Sequence, residues 1–294
     1  MNIQRDFIIG SEWLYYKIYS GPKTSDQLLI QVIKPTVSYL IKHNVIDKWF
    51  FIRYNDPNHH IRVRFHSTAP KNINTIITTL YEKMQFFITQ GLVWKVQIDS
   101  YQREIERYGA TTMEQAETLF FNDSSFIIRL LESIGEDDEA RWLFGLKAID
   151  LFLSDFQYTE DQKLHILDQL KTGFGLEFGM DRSLKKQLDK KYRTHKDKIK
   201  SILMPETSMG QENRLFHILE KRSQQNQIAV QKIQSLTHAT LLNDKLSSYI
   251  HMTMNRLFRS NNRLHEMVIY GLLYRAYKEA WGIRNFKLKK IVHI

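Results

Sequence analysis

The hydrophobic repeat of this chain changes period once, close to Tyr101, and that change limits the fold more than any other feature. Ahead of it the apolar residues alternate. In His60-Ile61-Arg62-Val63-Arg64-Phe65, the side chains of Ile61, Val63 and Phe65 leave one face and those of His60, Arg62 and Arg64 the other, the two-residue repeat of a strand. Beyond Tyr101 apolar positions recur at intervals of three and four, the repeat of amphipathic helices. Strands followed by helices predict an α+β chain, an N-terminal β-sheet region packed with a predominantly α-helical remainder. We expect one domain over 1–294, mixed α/β to about residue 110 and mainly helical from 111 onward.

Local signals divide these regions further. Trp13 to Tyr19 reads as an aromatic strand. A helix is expected from Ser25 to His43, capped by Thr24 or Ser25 and interrupted at Pro35. Trp49 to Tyr54 and His60 to Phe65 form a hairpin whose Asp56-Pro57-Asn58 suits a type I turn. Ile73 to Phe87 is helical and closes at Gly91, and Leu92, Trp94, Val96 and Ile98 alternate as a further strand. Thr112 with Gln115 fits a capping box for a helix to about Ser133; Thr159 with Gln162 fits another. The acidic loop 135–138 precedes a helix over Ala140 to Phe156, and two more helices cover Leu242 to Phe258 and Arg263 to Trp281.

Composition removes several kinds of chemistry. The chain has no cysteine, which excludes disulfides, thiol catalysis and thiolate metal sites. It has neither a signal-like start nor an apolar run of about 20 residues, so a cytoplasmic protein is expected. No phosphate-binding glycine loop, dinucleotide fingerprint, nucleophile elbow or ligand-spaced metal cluster appears, and no cofactor or metal is expected. The net charge of +10 is concentrated between Arg182 and Lys200, where nine Lys/Arg face two Asp. Such a run attracts anionic partners, nucleic acid included, or is a solvated helix face or a mobile connection. With Pro205 it marks the weakest connection in the chain, and no nucleic-acid-binding motif accompanies it.

Three places carry candidate site residues. Arg62 and Arg64 set two permanent planar cations side by side, either to grip carboxylates or as surface salt bridges. In Asp99 to Gly109, Glu104 and Arg107 lie one helical turn apart, a functional pair or an ordinary exposed one. In Ser247 to Phe258, Ile250, Met254 and Leu257 form a buried stripe, with Ser247, His251 and Asn255 along its edge. A histidine there suits proton transfer near neutral pH, or is a hydrogen-bonded structural residue.

Taken in order, Trp13 with Lys17-Ile18-Tyr19, Trp49-Phe50-Phe51-Ile52-Arg53-Tyr54 with Asp56-Pro57, His60 to Phe65, Asp99 to Gly109 and His251 to Phe258 resemble one family. It is the C-terminal domain of lantibiotic dehydratases, also known alone as thiopeptide-type bacteriocin biosynthesis proteins. The resemblance runs from Trp13 to about Trp281; the stretch from Gly135 to Asn243 carries no matching motif. It implies a lyase that eliminates glutamate from glutamylated Ser or Thr of a ribosomal precursor peptide, leaving dehydroalanine or dehydrobutyrine. The site residues it implies are Arg62, Arg64, Glu104, Arg107 and His251. It also implies a stand-alone form, partnered by the precursor peptide, a separate glutamyl-tRNA-dependent glutamylation protein and a cyclase, with no direct nucleic-acid role. Two alternatives remain at this point: a pyridine synthase joining two dehydroalanines with loss of the leader peptide, and a non-catalytic precursor-binding module.

Overall fold

The computed structural model describes residues 3–67, 69–204 and 211–292, without the side chains of 211–213 and 285–292. The chain divides into two compact units, Met1–Gly135 with Glu220–Ser260, and Glu136–Leu219 with Asn261–Ile294. The architecture is α+β, and every strand lies between Asp6 and Gln102 among the described residues.

The first unit opens with β1 (Asp6–Phe7) and β2 (Trp13–Ser20). Helical backbone then runs through α1 (Pro22–Leu28), a π-helical turn over Leu29–Ile33, and α2 (Lys34–Lys42). It starts earlier than expected, on Pro22, because proline lacks only an N–H that the first turn would leave unpaired. Neither Thr24 nor Ser25 is the cap, and the Ser25 hydroxyl donates back to the Pro22 carbonyl (2.7 Å). The chain does not break at Pro35 either; the wider π turn ahead of it takes up the missing i−4 hydrogen bond.

The expected hairpin is present as β3 (Lys48–Asn55) and β4 (His59–His66), with Trp49 opposite Phe65 and Phe51 opposite Val63. Its turn is not type I, since the Asp56–Pro57 peptide is cis. Helix α3 (Ile73–Thr89) ends in a Schellman closure, with Gly91 at φ +65 and the Leu92 N–H on the Phe87 carbonyl (2.9 Å). Strand β5 (Val93–Asp99) follows, then β6 (Tyr101–Gln102), α4 (Ile105–Tyr108) and α5 (Met113–Ile134). Thr112 does sit at the N-cap of α5, but without the capping box. Its hydroxyl is committed elsewhere, donating to the Tyr108 carbonyl and accepting from Lys245 Nζ (2.7 Å).

The main sheet is antiparallel, in the order β3-β4-β2-β5, and β1 pairs with β6 apart from it. One face carries Leu14, Ile18, Phe51, Ile61, Val63 and Phe65, all buried, and forms the core. Arg53 ties that face to α1, its guanidinium donating to Ser25 Oγ (2.6 Å) and Asp26 Oδ1 (2.5 Å). The opposite face carries Arg62 and Arg64.

The two sheet edges are treated differently. At β3, side chains replace a missing strand: the Phe51 N–H donates to Ser124 Oγ (3.2 Å), and the Phe51 carbonyl accepts from Arg256 Nε (2.8 Å). Asn255 completes the edge with both its amide atoms, on the N–H and the carbonyl of Arg53 (2.9 Å each). Strand β5 leaves Trp94 and Val96 exposed, so the alternation expected there does not bury its apolar face.

The second unit begins with α6 (Asp138–Asp155), capped by Asp137, and α7 (Glu160–Glu177), whose Thr159/Gln162 capping box is formed as expected. The basic run is a continuous helix, α8 (Arg182–Leu203), capped by Asp181. It is therefore not a weak connection: Leu188, Tyr192, Ile199 and Ile202 fall on one side and are buried. Pro205 lies outside the described residues. Helix α9 (Gln211–Leu236) contributes to both units; α10 (Ala239–Leu257) belongs to the first and α11 (Asn262–Val292) to the second, where α11 packs along α7 and α8. No helix among the described residues is long and apolar enough to cross a membrane.

Candidate functional site

Strand alternation decides what stands beside the two arginines. Register places Arg64 between Tyr15 of β2 and Phe50 of β3, and Arg62 between Lys17 and Ile52. All of these residues share the sheet face opposite the apolar core.

Arg64 is buried, only 8% exposed. Its guanidinium carbon lies 4.3 Å from the ring centre of Tyr15, 4.9 Å from that of Tyr101 and 5.1 Å from that of Phe50. Its Nε has no hydrogen-bond partner, and among the described residues no carboxylate pairs with it. Burial pulls its pKa down, although an arginine stays charged all the same. Reading the two arginines as surface salt bridges is therefore wrong for Arg64. Arg62 is half-buried and lies flat on Tyr54, 3.5 Å from the ring centre. Its Nε donates to Nε2 of the buried His60 (3.1 Å), which is stacked on Tyr19. The other His60 nitrogen, Nδ1, bonds the Asn58 carbonyl (2.8 Å), so it carries the proton and Nε2 the free lone pair. Burial, first, and then the Arg62 charge hold the His60 pKa below its ordinary value, consistent with a neutral ring.

Glu104 and Arg107 are set by anchors on either side. Before them, Arg103 is locked to the buried Glu117 of α5 (2.7 Å from both Nε and Nη2), and Tyr101 also donates to Glu117 (2.9 Å). After them, Tyr108 is buried against Tyr249 of α10 (5.3 Å) and Phe120 (5.0 Å), its pKa pushed up to about 12 by burial. Gly109 then turns at φ +80; a Cβ there would meet Lys245 Nζ at 2.7 Å, where that amine donates to the Tyr108 carbonyl (2.9 Å). Between these anchors Arg107 Nε meets Glu104 Oε2 at 3.2 Å, with both side chains about half exposed. The Glu104 charge favours the charged form of Arg64, the smallest of the influences on that group.

His251 comes from a third element. On α10 the stripe of Ile250, Met254 and Leu257 is buried, and His251 is half-buried at its edge. The helix is held to α4 by Tyr249 and Lys245 and to β3 by Asn255 and Arg256. His251 lies between those two attachments, one turn before Asn255.

Sequence reasoning missed three contributors here. Alternation placed His60 on the face of Arg62 and Arg64 without disclosing its hydrogen bond to Arg62, and pairing the strands would have added Tyr15. Arg256 left no comparable signal: its Nη2 is buried without a hydrogen-bond partner, while Nη1 meets Asp123 (3.1 Å). Among the described residues no three carboxylates or histidines gather as metal ligands would.

The sequence matches the family described as lantibiotic biosynthesis dehydratase C-term over residues 13–277. The chain belongs to that family. It is 25% identical over 287 residues to the subtilin biosynthesis protein SpaB of Bacillus subtilis, covering 94% of this chain and 26% of SpaB. It therefore spans about a quarter of that relative's length. Among solved structures, the tRNA-dependent lantibiotic dehydratase MibB from Microbispora sp. 107891 superposes with a TM-score of 0.72 at 21% identity, over 95% of this chain and 29% of MibB. The pyridine synthase TbtD, from thiomuracin biosynthesis, gives 0.62 at 10% identity, over 93% of this chain and 100% of TbtD. At such identities the two likenesses show the fold alone.

Proposed function

We propose that this chain is a lyase that acts in the cytoplasm and eliminates glutamate from glutamylated Ser or Thr of a ribosomal precursor peptide. The observation that carries the reading is Arg64, a buried guanidinium bounded by three rings and left without a carboxylate among the described residues. A buried cation in that state favours an anionic ligand, and a planar guanidinium matches a carboxylate. Arg62 and Arg64 hold the glutamyl group, and Arg107, paired with Glu104, adds a third cation to the set. In the reaction a base takes the α-proton, its electron pair forms the Cα=Cβ bond, and the Cβ–O bond breaks to release glutamate. His251 serves the proton transfer. Glutamylation is supplied by a partner protein, and both units of the chain serve the one elimination activity. A pyridine synthase shares the fold, but cycloaddition has no glutamate to hold, and the arginine pair supports elimination instead.

Single-turnover release of glutamate from a pre-glutamylated peptide tests this. His251→Gln keeps a polar side chain without a titrating ring and is expected to slow release by at least about 10²-fold. Arg62→Lys keeps the charge but loses the planar fork, and glutamylated peptide is expected to persist. Near wild-type release by both variants, with folding verified by circular dichroism, would remove the proposed site.

A further inference from the structure

The basic run of α8 takes no part in the proposed elimination site. Its charges are not equally placed. Toward the C-terminal end they are neutralised: Lys196 (2.8 Å) and Lys200 (2.9 Å) share Glu279, and Lys198 pairs with Glu139 (2.6 Å). The Lys196 hydrogen bond, first, and then that of Lys200 hold the Glu279 pKa down to about 2. Toward the N-terminal end, Arg182, Lys185, Lys186 and Lys190 have no ion pair among the described residues.

That unneutralised end borders a cleft of about 770 Å³ built wholly within the second unit. Leu176, Met180, Leu188 and Tyr274 supply apolar surface, and Lys171, Lys185, Arg275 and Lys278 supply cations. Leu176 is 81% exposed, so its side chain is open to a ligand. Asp189 is the one carboxylate of the lining, and Arg275 already holds it (2.6 Å).

We infer that this cleft binds an acidic peptide segment carrying bulky apolar side chains, a stretch of the precursor away from the residue being modified. The inference rests on the proposed function for its choice of a peptide. The lining favours the same choice over nucleic acid. Bidentate grip on a phosphate needs a guanidinium fork, and the Arg275 fork is closed by Asp189 and by the Gly271 carbonyl (2.8 Å). Base stacking needs an open ring, and Lys171 Nζ lies over Tyr274 at 3.9 Å. Lys185 and Lys278 remain, point charges that attract carboxylate and phosphate alike, so the apolar lining makes the choice. Between them the apolar surface accepts leucine-like side chains, which a phosphate backbone does not offer.

The test is fluorescence anisotropy on the full chain with a labelled synthetic 12-residue peptide alternating Glu and Leu, at low salt. Peptides with Gln for Glu, or with Ser for Leu, and a single-stranded thymidine 12-mer serve as competitors. Binding is expected to weaken at least about tenfold in Lys185→Glu/Lys278→Glu, since both exposed charges reverse. The milder Leu176→Asn is expected to weaken it without disturbing the fold, and neither altered peptide should compete like the parent. The Arg64→Lys variant is expected to bind as wild type does. Undiminished binding in both cleft variants overturns the inference, as does equal competition by the thymidine 12-mer. Because no glutamate need leave in this measurement, a chain that binds the peptide yet fails to eliminate loses the proposed function and keeps the cleft; the converse result does the reverse.

Discussion

Buried positive charge is handled in opposite ways at two sites, one in each unit. In the second, Lys147 and Lys163 are both buried against Asp150, at 2.9 and 2.7 Å. Lys163 also donates to Ser154 Oγ (2.6 Å), Lys147 to the Leu203 carbonyl (2.8 Å), and Tyr277 to Asp150. Burial pushes the Asp150 pKa up, but the two lysines outweigh it and hold the carboxyl below its ordinary value. In the first unit, Arg64 is buried as deeply with rings for neighbours. Each ring face returns about 0.5–2 kcal/mol, against several for desolvating an ion. The first unit does not lack acids, because Arg53 and Arg103 have Asp26 and Glu117. The missing carboxylate at Arg64 is therefore local, which supports the proposed role of Arg64 in holding a carboxylate.

The largest effect expected from this contrast is on stability. Asp150→Ala strands two buried ammoniums and should cost about 3–5 kcal/mol, read as a lower urea midpoint. Arg64→Met should do the opposite: it removes a buried charge that no carboxylate pairs with among the described residues, so stability is expected to hold or rise. Glutamate release should nevertheless fall by about 10²–10³, the usual loss of one preorganised donor. Were Arg64→Met to unfold as readily as Asp150→Ala, the two sites would be alike and the sheet face would be only structural.

The same contrast explains what the sequence disclosed. Ile61, Val63 and Phe65 alternate strictly with the basic residues, so the strand, its core face and the arginines were all legible. So was the capping box at Thr159, which is local and uncontested. Thr112 has similar chemistry yet forms no box, because Lys245, distant in sequence, takes its hydroxyl oxygen. Pro22 and the π turn ahead of Pro35 depend on backbone hydrogen bonding that composition does not display. The α8 charges suggested a loose segment, since four buried residues among nine cations are easily overlooked. Burial of Arg64 was illegible for a related reason. It follows from Tyr101 of β6 packing on the guanidinium beside the neighbouring Tyr15 and Phe50 rings, and alternation specifies a face without saying what covers it.

The smallest effect expected concerns how Arg62, the less buried of the pair, is held. His60 offers it one lone pair, and only while the ring is neutral. Burial, then the nearby Arg62 and Lys17 charges, lower the His60 pKa beneath 6.5, with the Asn58 carbonyl opposing them. A lowered folded pKa means that the unfolded chain takes up the proton first. The stability this contributes is full above about pH 6.5 and is lost as pH falls through the folded value. Arg62 loses its acceptor over the same window and gains a cationic neighbour. His60→Phe keeps a ring for Tyr19 and Tyr54 but abolishes the lone pair. A hydrogen bond to a charged group contributes about 1.5–3 kcal/mol, so release at neutral pH should slow by roughly tenfold or somewhat more. Urea midpoints at about pH 7 and about pH 5.5 supply the second readout. Wild type should lose more stability over that interval than His60→Phe does, while His59 and His265, whose pKa values burial also lowers, cancel because both proteins retain them. Equal losses, together with an unchanged rate, would reduce His60 to a ring in the stack and leave Arg62 held by Tyr54 alone.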